Sequence, residues 1–204
     1  MTTTAANAQA SPILTALRAA THDSHKAVER LTPFFRADFD RAAYLRWLDA
    51  MHGFYRVLDA AVAASGFVTH TGWQYLERSA LIGRDLAALA GRAPAAPPDP
   101  HGVLAPLAGM RSIGEVAGML YVVEGSALGG KVLLKVLERG AAVTADAGAG
   151  FFAPHGEQPH LRWADYVALL ERLARSAGLQ QDAVVGAETT FNVLLAWVTE
   201  VWRD

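Results

Sequence analysis

Arg18, His22, His25 and Glu29 follow one another at intervals of four, three and four residues, which on a helix gathers them into one narrow sector. An imidazole with a carboxylate one turn beyond it is suited to holding a metal. One ring nitrogen binds the ion while the other donates its N–H to the carboxylate, which fixes the tautomer and raises the basicity of the ligating nitrogen. His25 lies nearest the apolar stripe of Leu14, Leu17 and Val28, whereas His22 is displaced toward the polar flank. The same placement also serves a core-edge histidine satisfied by a backbone carbonyl. A zinc site on His22 and His25 needs a third ligand at a plausible spacing, and none is evident. His155 and His160 fall in a loop rich in glycine and proline, where a solvated role is expected.

A second group of residues stands in the run Gly118-Met-Leu-Tyr-Val-Val-Glu-Gly-Ser-Ala-Leu-Gly-Gly-Lys-Val-Leu-Leu-Lys-Val-Leu137. This reads as a buried helix, yet Gly125, Gly129 and Gly130 together forgo roughly 3 kcal/mol of helix propensity relative to alanine. Gly118, Gly125 and Gly129 are spaced by seven and four residues, so they share one stripe, with Gly130 beside it. A stripe without side chains admits either a second helix or a flat ligand directly onto the backbone. Glu124 and Lys131 flank it, which excludes a membrane-dimer motif. The adjacent Gly129-Gly130 pair weakens the helix more than packing usually requires, and Ser126 adds a polar group, so a kinked, ligand-facing helix fits better.

Long helices are needed to hold both groups, and the sequence supplies them. Apolar residues recur at three- and four-residue intervals in nearly every long segment, and no sustained alternation of the strand type appears, which predicts an all-α fold. The first helix begins after Ser11-Pro12 and ends near Thr32-Pro33. A second runs from about Asp40 into the sixties, and a third from Trp73 to Leu89. The proline-rich stretch Gly91 to Gly102 is a loop. Ser112-Ile-Gly-Glu115 is a capping box that starts the glycine-bearing helix, and Gly140 is placed to end it. A loop from Ala141 to His160 and two further helices, Trp163 to Ala177 and Gln181 to Trp202, complete the chain. With 204 residues, 52% hydrophobic and 19% charged, one helical domain over 12–204 is expected after a disordered segment 1–11.

A formal net charge of −2 without basic runs argues against a nucleic-acid partner, and no apolar run reaches the ~18 residues of a membrane span. The N-terminal segment lacks a secretory pattern, and the chain has no cysteine, which suits a cytoplasmic setting and excludes thiolate chemistry. There is no Gly-x-Ser-x-Gly elbow, Walker loop or dinucleotide fingerprint.

The pattern Leu17-Arg18-x-x-Thr21-x-x-x-His25-x-x-x-Glu29, followed by Tyr121-Val-Val-Glu-Gly125-Ser-Ala-Leu-Gly129-Gly130, resembles the haem oxygenases, especially their bacterial biliverdin-producing branch. The resemblance extends to Tyr44 through Leu58, Arg78 through Leu89 and Phe191 through Trp197, so it covers most of the chain. It implies a helical domain that holds haem b between a proximal and a distal helix, with haem both cofactor and substrate. By this resemblance His25 is the axial ligand to iron and the other side is open for O2. Gly125, Ser126 and Gly129 form the catalytic wall, and Arg18, Glu29, Tyr121, Gly130 and Lys135 join the haem-binding set. Lys131, Arg172 and Arg175 are further cations considered for the propionates. Ser126 stands where mammalian members carry an aspartate, which leaves proton delivery to Ser126 or to water held by the backbone. The implied products are biliverdin, carbon monoxide and ferrous iron. Electrons would come from a separate reductase or ferredoxin, and a bilin-using photoreceptor is a downstream partner. The alternative is a non-catalytic haem carrier or sensor on the same fold. The related fold of thiamin-degrading enzymes is disfavoured because it uses a cysteine nucleophile.

Overall fold

The computed structural model describes residues 11–95, 99, 101–156 and 158–201. The segment 1–10 and Trp202 lie outside them, and with these the expected disorder at the N-terminus and the last helical residue. Among the described residues the fold is all-α as expected: there is no β-strand, only isolated bridges at Thr144. No helix there is long and apolar enough to cross a membrane.

Helix α1 (Pro12–Leu31) starts with proline in its first turn, where the missing N–H costs nothing, and stops where Pro33 follows Thr32. A single 3-10 turn, Pro33–Phe35, leads toward α2 (Arg41–Ser65), which Asp40 caps by accepting the Ala43 N–H at 2.8 Å. Gly66, in the left-handed region at φ 70°, ends it, and a five-residue α3 (Phe67–Thr71) follows that the periodicity did not reveal. The third long helix, expected from Trp73, begins instead at Arg78 as α4 (Arg78–Ala90). The reason lies in α2: the Asp59 carboxylate accepts the N–H groups of Arg78 and Ser79, at 3.3 and 2.9 Å, so the cap comes from a distant helix.

A short α5 (Ala105–Gly109) precedes α6 (Ile113–Ser126), whose capping box between Ser112 and Glu115 forms in both directions. The expected continuous helix from there to Gly140 is interrupted by a 3-10 turn, Ala127–Gly129, before α7 (Gly130–Ala141) resumes. Gly140 does not end it. That role falls to Ala142, left-handed at φ 54°, while bare Gly140 admits the Phe39 ring. A turn at Gly150–Phe152, then α8 (Pro159–Leu173) and α9 (Ala177–Val201), finish the described chain.

The core is built where α6 and α1 both pack on α9 and α2 packs on α4. Trp197, Tyr44, Phe54, Leu17 and Leu48 are nearly or fully sealed within it. The α6–α9 contact is made at backbone distance. A methyl group on Gly118 would fall on the Ala183 carbonyl, and one on Gly186 would fall on the Glu115 carbonyl. This leaves α1 and the α6–α7 junction as separate walls around a cleft.

Candidate active site

The cleft has a volume of about 730 Å³. Arg18, His22, His25 and Glu29 of α1 line one wall; Gly125, Ser126, Leu128 and Gly129 line another. Trp47, Met51 and Tyr55 of α2, with Phe151 and Phe152, make an aromatic end. The sequence-predicted groups on α1 and on the glycine helix therefore meet in one space.

The His25 side chain is 55% exposed within that space, with its ring edge against Phe191 at 5.5 Å between centroids. Its Nδ1 lies 3.7 Å from Glu29 Oε1, an electrostatic contact longer than a hydrogen bond. His22 also lines the cleft and is exposed. Thr21, one turn before His25, donates to the Leu17 carbonyl at 2.8 Å and shares a hydrogen bond with Tyr121. Burial raises the Tyr121 phenol above its ordinary pKa, opposed by Thr21 and by the nearby Arg18.

The glycines divide into different roles. Gly129 has open space within 4 Å of the position a side chain would occupy, and Gly125 faces the Trp163 ring at 3.4 Å. Gly130 lines the cleft, but the side chain it lacks would strike the Phe152 carbonyl, so its bareness serves the seating of that turn. Gly118, predicted on the same stripe, lies outside the cleft against α9. Ser126 donates to the Val123 carbonyl at 2.7 Å and is hydrogen-bonded to the Tyr55 hydroxyl. Burial pushes Tyr55 up to about 12.

Several expected residues are placed elsewhere. Lys131 and Lys135 of α7, Arg172 at the end of α8 and Arg175 just after it are exposed and do not line the cleft. Arg18 is the one cation of the predicted set at the cleft. A shallower depression beside it gathers Lys26, Arg30 and Arg36.

A buried ionic cluster under the glycine wall was not anticipated from the sequence. The Glu124 side chain is fully buried and accepts from Trp73 Nε1 at 3.2 Å, Arg78 Nη2 at 3.2 Å and Arg162 Nη2 at 3.3 Å. His155 Nε2 stands 3.2 Å from the same carboxylate, so this histidine is a tether of the cluster rather than the solvated loop residue expected. The Arg162 guanidinium lies over the Trp73 ring at 3.6 Å. Burial alone would raise the Glu124 carboxyl, but the His155 hydrogen bond and the two arginines hold it below the ordinary carboxylate range. Arg78 also lines the cleft. A glutamate inside the apolar run Val122-Val123-Glu124 was the available signal, since a carboxylate there must be paired. Among the described residues no three His, Asp or Glu side chains gather as a metal site.

Comparison with known proteins bears on which ligand. A curated protein named "Heme oxygenase" from Xanthomonas campestris pv. campestris (strain 8004) is 35% identical over 123 residues, 59% of this chain and 67% of that one. The heme oxygenase of Neisseria meningitidis, solved with NO and CO bound, superimposes with a TM-score of 0.72 at 22% identity, covering 93% of this chain and 91% of its own. The heme oxygenase of Leptospira interrogans gives a TM-score of 0.74 at 20% identity, over 92% and 98% of the two chains. At these identities the structural likeness speaks for the fold. The sequence model of the family described as "Heme oxygenase" matches residues 11–200, which takes in α1, the glycine junction and every other element around the cleft. On that match the chain belongs to the haem oxygenase family of haem-degrading enzymes.

Proposed function

We propose that the cleft takes haem b as its substrate between α1 and the α6–α7 junction, and that the chain converts it to biliverdin, carbon monoxide and ferrous iron. The observation that carries this reading is the pairing, in one cavity, of the half-exposed His25 imidazole with a wall left bare at Gly129. The cavity volume lies within the roughly 300–1,000 Å³ of small-molecule sites, and its lining is apolar apart from a few polar groups. Bound there, haem supplies the iron at which dioxygen is activated and the porphyrin ring that is opened.

His25 is the residue to ligate the iron, and because Nδ1 faces Glu29, Nε2 is the ligating nitrogen. Gly129, with open space before it, would leave room for dioxygen on the other wall, beside Gly125 and the Trp163 ring that faces it. The Ser126 hydroxyl is engaged with the Val123 carbonyl and the Tyr55 hydroxyl, which supports proton delivery through water held by backbone groups at the helix break rather than from Ser126 itself. Arg18 serves the propionates, with Lys26 and Arg30 in the neighbouring depression as further cations. The sequence carries no dinucleotide signature, so a separate reductase or ferredoxin supplies electrons in a cytoplasmic setting. A bilin-using photoreceptor is one consumer that the product suits.

Haem titration tests the ligand assignment. His25→Ala is expected to lose the native ferric haem spectrum and His22→Ala to keep it; equal loss in both would overturn the assignment. Adding ascorbate or a reductase then separates enzyme from carrier. In the enzyme the Soret band decays and biliverdin absorption appears, whereas a carrier's spectrum persists.

A further inference from the structure

One wall of the cleft is not helical. Phe151 and Phe152 belong to the turn Gly150–Phe152, and both line the cavity. Phe152 stacks on Trp47 with centroids 5.3 Å apart, and Phe151 meets Trp47 at 5.6 Å and Tyr55 at 5.3 Å. Three short hydrogen-bonded residues cannot hold two large rings in place by themselves. The holding group is Asp85, buried on α4, whose two carboxylate oxygens accept the N–H groups of Gly150 and Phe151 at 2.9 Å each. Tyr44 donates to the Gly148 carbonyl at 3.0 Å, and bare Gly148 lies against Leu89 on the same helix. On its other side the turn is seated against Gly130.

Asp85 does not itself line the cleft. Burial raises its carboxyl above the ordinary range, opposed by the same two backbone N–H bonds, so a carboxylate here carries a desolvation cost. A turn needing only to be covered would be served by an apolar residue. A bidentate carboxylate fixes direction as well as contact.

We propose that Asp85 is a positioning residue for regioselectivity: by fixing the Gly150–Phe152 turn it sets the aromatic edge against which the planar substrate rests, and so which meso carbon meets dioxygen. The inference rests on the reading of the cleft as the haem site. Two walls that grip the faces of a flat ring leave it free to rotate in its own plane. Only groups at the ring's edges oppose that rotation. The cations of the mouth serve one edge, and Phe151 with Phe152 serve another. Movement of the turn therefore changes the angle at which the ring comes to rest.

The test uses the full chain with haem and, separately, with zinc protoporphyrin as a redox-inert probe. In Asp85→Asn a single carbonyl oxygen can accept from only one side of the former pair, leaving the other N–H weakened. The ratio of biliverdin isomers is expected to shift by about fivefold, the factor that one net backbone hydrogen bond is worth. Zinc protoporphyrin is expected to gain a fast component in its fluorescence anisotropy decay, from rotation within the cleft. A residue that merely stabilised the fold would lower the melting temperature and leave both readouts at their wild-type values, which would overturn the proposal. Should Asp85→Asn fail to fold, Phe151→Leu, which shortens the edge directly, must shift the isomer ratio; an unchanged ratio in that variant overturns it as well. If wild-type protein neither binds zinc protoporphyrin nor degrades haem, the haem reading falls and takes this inference with it. If wild type forms biliverdin and both variants keep its isomer ratio, only this inference falls.

Discussion

The two ends of α6 use glycine for opposite purposes. Near its start and middle, Gly114 and Gly118 are closed against α9, whose Gly186 is closed against α6 in turn; an added methyl group would overlap the Asp182 side chain at Gly114 and carbonyl oxygens at Gly118 and Gly186. Past its end, a side chain added at Gly129 would enter space with nothing within 4 Å, and the helix itself gives way to a 3-10 turn. A residue type that costs helix stability in both places is compensated in one by tight packing and in the other by nothing within the protein. The first region is architectural, while the second leaves its bare position facing the cleft, as the proposed function of that wall requires.

The sharpest test of this contrast is Gly118→Val. Because backbone of α9 cannot give way to a side chain, the variant is expected to lose more than about 4 kcal/mol, enough to leave much of the chain unfolded in urea or thermal melts. A native melting curve would break the comparison. Next comes Glu124→Gln, at the boundary between the two regions, where removing the charge leaves the buried Arg78 and the part-buried Arg162 without their counter-ion. A loss of about 3 kcal/mol is expected. Its pH dependence has a definite sign. Glu124 has a lowered folded pKa, so its contribution is complete above the ordinary carboxylate range and disappears as pH falls through the lowered value. Melts of wild type and Glu124→Gln should therefore converge in acid and diverge toward neutrality; parallel curves would show that Glu124 is not the group responsible. The smallest effect on stability is expected for Gly129→Leu, within about 0.5 kcal/mol of wild type, since the side chain enters open space. Its haem turnover should fall at least tenfold. Normal turnover in that variant would remove Gly129 from the working wall.

Much of this was legible before the fold was known. The period of apolar residues located the long helices because burial of one face dictates it, and the capping box at Ser112 located the start of α6 to the residue. The histidine sector and the glycine stripe were both visible, because helical spacing alone brings their members together. What escaped was information carried across the chain. The start of α4 is set by Asp59 of α2, so no local pattern could report it. Gly118 and Gly129 look identical on one stripe, and only the arrival of α9 beside the first separates them. His155 lay in a segment with loop composition, and its partner Glu124 stands 31 residues away. Lys135 joined the haem-binding set through the family resemblance, as a cation for the propionates, but it is exposed on α7 and does not line the cleft.

The Asp59 cap also constrains how the molecule comes together. Its acceptors for Arg78 and Ser79 sit 19 and 20 residues upstream, so α4 lacks its own stop at the N-terminal end until α2 is helical and beside it. An isolated peptide of α4 would fray there, and the loop between the two helices must close first. Because α4 carries both Arg78 and Asp85, the cleft's ionic underside and its aromatic edge inherit that order of events. The shape of the cleft therefore depends on the docking of α2 against α4, and a substitution that loosens the Asp59 cap would reach the cleft through Arg78 and Asp85, although Asp59 does not itself line it.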